Sequence, residues 1–306
     1  MLYPLSYGRV ACRAHECSAA EPPLFLRGRA HTGRSASRGR ARGGRCIYRP
    51  VVESAASAQA IEVALRTRAD PERAEQEKRY LRSSLTHYGV DVPTLHKISR
   101  HAAAGLDREA LIALVTRLWD EPAGAPVHER RFVAADLLAA RQEVLTPADL
   151  PVVERLLRES GTWALVDVLA GRVVGALVDR YPDDVGVVLD RWAVDPDFWV
   201  RRSALLAHLL PLRRGTSDWD TFVRHADLML GDRHLFVAKA VGWVLRESGR
   251  SHPELVLAYL EPRVQQMASV TVREALKPLR CADRQRLQAR RAAGPRAPGG
   301  RATVGR

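Results

Sequence analysis

Between about residues 54 and 277, apolar positions recur three and four apart, as at Leu111, Leu114, Val115 and Leu118. That is the period of helices buried along one side. Breakers cut the pattern at short intervals: Asp91-Val-Pro93, Glu121-Pro122, Thr146-Pro147, Tyr181-Pro182, Asp195-Pro196, Gly215 and His252-Pro253. Several place Pro in a first helical turn behind an Asp, Thr or Ser cap. The spacing predicts helices over 54–69, 71–88, 93–104, 107–119, 126–140, 147–159, 162–179, 183–192, 196–211, 217–230, 233–249, 252–260 and 267–277. No segment alternates as a strand does, so the expected class is all-α. Helices of this length with short turns predict an α-solenoid of HEAT-like antiparallel helix pairs. Tetratricopeptide and ankyrin signatures are absent, and no repeat shows in residue identity. A solenoid offers a concave face wide enough for a DNA duplex.

Charge changes this picture through its location. The 306 residues carry a formal +13, of which residues 1–50 hold +8 and residues 281–306 hold +6, leaving −1 for residues 51–280. Any DNA-binding face on the body therefore comes from uneven placement of charge rather than excess. The first segment, with HTGRSASRGRARGGR, is rich in Arg, Gly and Ser and has no hydrophobic period. Such composition predicts a disordered tail. It also resembles a transit peptide, or sequence upstream of a native start near Val51 or Val52. Residues 281–306 are expected as a second disordered basic tail. The domain plan is thus a tail over 1–50, a helical domain over 51–280 and a tail over 281–306. All four cysteines (Cys12, Cys17, Cys46, Cys281) lie in the tails. Without CxxC or HExxH spacing, no disulfide, metal or cofactor is expected, and a cytoplasmic setting fits. No run of 18 apolar residues predicts a membrane span.

One acid stands out. Asp167 sits inside the apolar run WALVDVLAG, four residues after Trp163 and so on the same helical face. Burying an ionised carboxylate there is costly unless it is paired or does chemistry. Taken alone, such an Asp is more often paired with an Arg than catalytic. Trp163 and Trp243 alone would read as core, as do Trp119, Trp192, Trp199 and Trp219.

Several blocks, in order, carry a family resemblance: Lys78-Arg-Tyr-Leu-Arg-Ser83, Tyr88-Gly-Val, Pro93, Leu118-Trp119, Ser160-Gly-Thr-Trp163-Ala-Leu-Val-Asp167, Asp190-Arg-Trp192, Asp197-Phe-Trp199-Val-Arg-Arg202-Ser-Ala, Phe236-Val-Ala-Lys239-Ala-Val-Gly-Trp243-Val-Leu-Arg-Glu247 and Val272-Arg-Glu-Ala275. Together, over roughly residues 60–280, they resemble the DNA alkylation repair family of AlkD-like DNA glycosylases. The family often has a polar, DNA-touching pair before the Pro at 93; here Val92 stands in that place.

The resemblance implies hydrolysis of the N-glycosidic bond of N3- or N7-alkylated purines in duplex DNA by a monomer, nucleoid-associated when bound, without a cofactor and without obligatory base flipping. Asp167 would be the catalytic carboxylate, Trp163 and Trp243 would pack on the deoxyribose, and Arg202 would hold the DNA backbone. Arg201, Lys239, Arg246 and Arg273 are further candidate phosphate contacts, with Arg213 and Arg214. Alkylation makes the base cationic, so it leaves neutral and needs no general acid. One carboxylate and two indole faces then suffice for an oxocarbenium-like sugar. The rival reading is a non-catalytic helical-repeat protein that binds unusual or damaged DNA.

Overall fold

The computed structural model describes residues 48–216 and 218–294; residues 1–47 of the tail expected over 1–50, and the last residues, 295–306, lie outside these. Among the described residues every named element is helical, and the one extended pairing is an isolated bridge between Thr86 and Val127. The all-α expectation holds. Among the same residues, no helix is long and apolar enough to cross a membrane.

In chain order the helices are α1 (Tyr48–Arg66), α2 (Pro71–Leu81), α3 (Val92–Ala102), α4 (Arg108–Asp120), α5 (His128–Ala140), α6 (Leu150–Glu159), α7 (Trp163–Val168), α8 (Gly175–Arg180), α9 (Pro182–Ala193), α10 (Phe198–Leu206), α11 (Leu209–Arg214), α12 (Trp219–Leu228), α13 (Leu235–Ser248), α14 (Pro253–Arg263), α15 (Ser269–Ala275) and α16 (Cys281–Ala292). The caps explain many of the starts. The side chains of Asp70, Asp91, Asp107, Thr162, Asp197 and Asp218 each accept from a backbone N–H in the first turn. Pro71, Pro93, Pro182 and Pro253 occupy first turns as the sequence suggested.

Helices pack mainly on those one to three places away in order: α1 on α4, α3 on α5, α9 on α10, α10 on α13 and α13 on α15. One continuous apolar core runs through them, including the fully buried Trp119 and Trp192, each with its indole N–H bonded to a glutamate, Glu159 and Glu154 at 2.9 Å. Trp199 is also buried and Trp219 packs against the core, in line with their reading as packing residues.

The residues show no repeat, but their polar contacts do. Arg108 bonds Asp149, Arg155 bonds Asp120, Arg158 bonds Asp195, Arg172 bonds Asp136, Arg202 bonds Asp167, Arg214 bonds Asp179, Arg224 bonds Asp190 and Arg263 bonds Asp227. The partners stand 34 to 41 residues apart each time. Successive units of that length are stitched acid to arginine.

Several boundaries differ from expectation; the helix expected over 196–211, for one, runs as α10 and α11, broken at Ala207 and His208. The helix expected over 71–88 stops at Leu81, where Arg82 turns left-handed (φ 51°) and the chain enters a loop. At Gly89 (φ +79°) a side chain is impossible, because a Cβ would lie 2.1 Å from the Asp70 carbonyl oxygen. The helix expected over 162–179 runs as α7, a π-helical turn (Leu169–Val174) and α8. The stretch from Cys281, expected as disordered tail, forms α16 instead, and Leu287 anchors it fully buried. Its Arg-rich composition hid the one apolar residue that packs.

Candidate nucleic-acid site

Asp167 lies on α7, one turn from Trp163, with the π-helical turn beginning two residues later. Such turns often mark functional positions in helices. The carboxylate is buried, and its partner is Arg202 of α10. Arg202 donates from Nε to Oδ1 at 2.9 Å and from Nη2 to Oδ2 at 3.0 Å. Its remaining amino group, Nη1, donates to the Phe236 carbonyl oxygen of α13 at 2.6 Å. A planar five-donor fork is suited to this task, and lysine would not replace it.

This overturns one expectation. The exposed guanidinium anticipated at Arg202, free to meet a phosphate, is 4% exposed and committed to Asp167 and Phe236. Its placement early in an amphipathic helix gave no sign of which way it faces. The pairing of Asp167 with an arginine, the ordinary alternative to catalysis, is present in full. Burial pushes the Asp167 carboxyl up, and the Arg202 charge and hydrogen bonds oppose that.

Pairing leaves the acid with acceptor capacity. A carboxylate offers about four lone-pair directions, and a bidentate arginine uses two. The charge on Asp167 also acts through space in a water-poor surrounding.

The tryptophans lie on two helices that both meet α10. Trp163 opens α7 half-buried, and Trp243 is half-buried on α13, two turns beyond Phe236 and one beyond Lys239. Close packing beneath Trp243 rests on Gly242, where a Cβ would come within 2.9 Å of the Thr271 carbonyl oxygen on α15. One aromatic escaped the sequence reading. Tyr80 of α2, half exposed, meets Trp163 edge to face with centroids 6.0 Å apart. The Lys78-Arg-Tyr-Leu-Arg-Ser83 block carries it, and its distance from Trp163 in sequence hides the contact.

The basic candidates divide. Arg201 is occupied by Asp232 (2.8 Å) and by the carbonyl oxygens of Asp195 and Pro196. Arg246 pairs with Glu274 and Glu247, and Arg214 with Asp179. Lys239 is exposed, its ammonium 5.8 Å from the Phe236 ring centre. Arg273 is exposed and shares a groove of about 330 Å³ with Arg284 and Arg291 of α16. Arg213 is exposed as well.

The sequence profile of the DNA alkylation repair enzyme family matches residues 61–279. No curated protein sequence gives a significant match. Among solved structures, one described as a predicted DNA alkylation repair enzyme from Enterococcus faecalis aligns with a TM-score of 0.62 at 19% identity. The alignment covers 70% of this chain and 98% of that one, and at such identity it speaks for the fold.

Proposed function

Because the chain belongs to the DNA alkylation repair enzyme family, we propose that it is a DNA glycosylase that hydrolyses the N-glycosidic bond of N3- or N7-alkylated purines in duplex DNA. The observation that carries this reading is the buried carboxylate of Asp167, held by Arg202 on the helical face that also bears Trp163. A core ion pair is costly compared with apolar packing of the same volume, so a use for the charge is the simplest reason to keep it.

The chemistry asks little of the protein. As the C1′–N bond breaks, its electron pair moves to the cationic base, which leaves neutral. The sugar is left with oxocarbenium character. Asp167 supplies a fixed negative charge toward it, and the electron-rich faces of Trp163 and Trp243 support the same cation. Water adds at C1′, and its proton passes to Asp167 or to solvent, leaving an abasic site. No base need enter a pocket. Arg202 is a positioning residue: its charge opposes the upward push of burial on the Asp167 carboxyl, and its fork fixes the carboxylate's orientation. Lys239 and Arg273, exposed and without an acid partner among the described residues, are the better candidates for phosphate contacts.

The test is release of free base from a duplex carrying one N7-methylguanine, comparing the full chain with Asp167→Asn. Excision by the first and not by the second is expected, with DNA affinity nearly equal. Equal excision by both would remove Asp167 from the reaction. Salt-dependent binding without excision by either would favour the DNA-binding reading, for which the complete Asp167–Arg202 pairing is itself the supporting observation.

A further inference from the structure

Far from Asp167 in sequence, the loop after α2 carries buried polar atoms that lack partners. Glu129, the second residue of α5, is fully buried. Its Oε1 accepts from the backbone N–H groups of Tyr88 (2.9 Å), Gly89 (2.6 Å) and, at longer range, Val90 (3.4 Å). Its Oε2 is buried and receives nothing. Both ring nitrogens of His87, on the same loop, are likewise buried without a partner. One buried polar atom left so is unusual, and three on two neighbouring side chains call for a ligand. Glu77 of α2 completes the set: one donor atom each from Glu77, His87 and Glu129 lie within 4.8 Å of one another.

We propose that Glu77, His87 and Glu129 bind a divalent transition-metal ion of the zinc class, with solvent completing the coordination. One imidazole and two carboxylates form a donor set suited to such ions, whereas calcium takes six to eight oxygens. The ion's positive charge would offset the buried Glu129 carboxylate, which has no cationic partner among the described residues. The surroundings fix the ligands as outer partners of metal sites do. Three amides orient Glu129. His87 stacks on His128 with centroids 4.6 Å apart and planes 12° from parallel, which holds the ring in place. His128 itself lies outside the cluster. Glu77, partly exposed and paired with Arg73 through Oε1 at 2.7 Å, marks the route from solvent. The ion would clamp α2, the loop and α5 together. Ligands 10 and 42 residues apart escape the short spacings by which metal sites are read from sequence.

The full chain, stripped with a chelator, would be titrated with Co²⁺ and with Zn²⁺. One equivalent of Co²⁺ should give visible ligand-field bands without a thiolate charge-transfer band. Zinc-edge X-ray absorption should show nitrogen or oxygen at about 2.0 Å and no sulfur shell near about 2.3 Å. Glu77→Gln and His87→Phe should each weaken binding by about 10-fold or more. Zn²⁺ should raise the unfolding midpoint of the unaltered chain and of neither variant. Glu77→Gln alters a partly exposed helical position, so it keeps the test decisive if His87→Phe does not fold. Absence of the bands, a sulfur shell from the cysteines, or unchanged affinity in the variants would overturn the site.

Discussion

Replacing Arg202 with methionine removes the guanidinium and keeps most of the side chain's bulk. The side chains of Asp167 and Arg202 are 3% and 5% exposed, so water cannot take over as partner. With charge centres about 4 Å apart and an effective dielectric of about 20, the lost attraction is roughly 4 kcal/mol. Breaking a buried pair from one side generally costs about 3–5 kcal/mol. The Phe236 carbonyl loses its donor in the same step. Burial already pushes the Asp167 carboxyl up, and Arg202 is the group that opposes it. In Arg202→Met the acid therefore takes up a proton at higher pH. A carboxyl with a folded-state pKa above its unfolded value binds more protons when folded, so the variant regains stability as pH falls through that pKa. The expected loss is about 3 kcal/mol at pH 7.5 and smaller at pH 5.5. The double variant Asp167→Asn/Arg202→Met leaves no unpaired charge and should lose less than the sum of the single changes, by about 2 kcal/mol. Urea unfolding of the four proteins at both pH values measures all of this. Additivity within about 0.5 kcal/mol would refute the buried pair. So would an Arg202→Met protein of full stability whose DNA binding has lost about one unit of salt slope, since that is the signature of an exposed phosphate contact.

The same reasoning extends to three other features. His128 and His208 are buried, with burial holding both rings down to about 3. The unfolded chain takes up their protons below about pH 6.5, so stability should fall as pH drops from there, by about 2 kcal/mol per ring at pH 5. A flat denaturation midpoint between pH 7 and 5, or one that holds in His128→Phe and the parent alike, would dismiss this. Lys239→Ala and Arg273→Ala should each lower the slope of log affinity against log salt by about one, while Arg201→Ala and Arg246→Ala leave it unchanged. The reverse pattern would mean that the paired arginines open toward DNA. Tyr80→Ala should slow excision about 5-fold through loss of an aromatic face beside Trp163, with Tyr80→Phe near the parent rate. Equal loss in both would assign the effect to the hydroxyl.

What the sequence disclosed follows from which interactions are local. Helices, caps and first-turn prolines depend on residues a few positions apart, so Asp91-Val-Pro93 or Tyr181-Pro182 could be read directly. The Trp163–Asp167 register is local too, at one helical turn. The end of α2 was not legible, because Glu129, 41 residues beyond Tyr88, holds the loop that replaces the helix. Arg202 could be placed on a helix but not on a face, since its direction is set by Asp167, 35 residues away, and by a carbonyl on α13. Tyr80 and Trp163 are separated by four helices, α3 to α6. α16 hid behind composition: one buried leucine among arginines gives little periodic signal.

The stitched arginine–acid pairs put Asp167 in a particular light. A body with a net charge of −1 contains many acids and arginines, and the structure uses them across neighbouring units at separations of 34 to 41 residues. In the other rungs the arginine reaches solvent, although several of the acids, such as Asp136, Asp149 and Asp195, are buried. Arg108, Arg158, Arg214 and Arg224 are 45%, 37%, 58% and 53% exposed, and screened pairs of that kind add little each. Asp167–Arg202 has the same spacing but is the only ion pair among the described residues with both side chains at 5% exposure or less. A chain selected for stability alone would place apolar side chains at such a rung, because a buried pair seldom outperforms them. Trp163, half-buried on the same face, and Lys239, exposed on the neighbouring α13, add an aromatic surface and a cation near this one inward rung. The physical anomaly and the carboxylate proposed for the reaction therefore coincide on one residue, whose apolar surroundings in the sequence already point to burial. That coincidence makes the four-protein unfolding cycle and the excision assay of Asp167→Asn complementary: the first asks whether the charge is buried at a cost, the second whether the cost has a use.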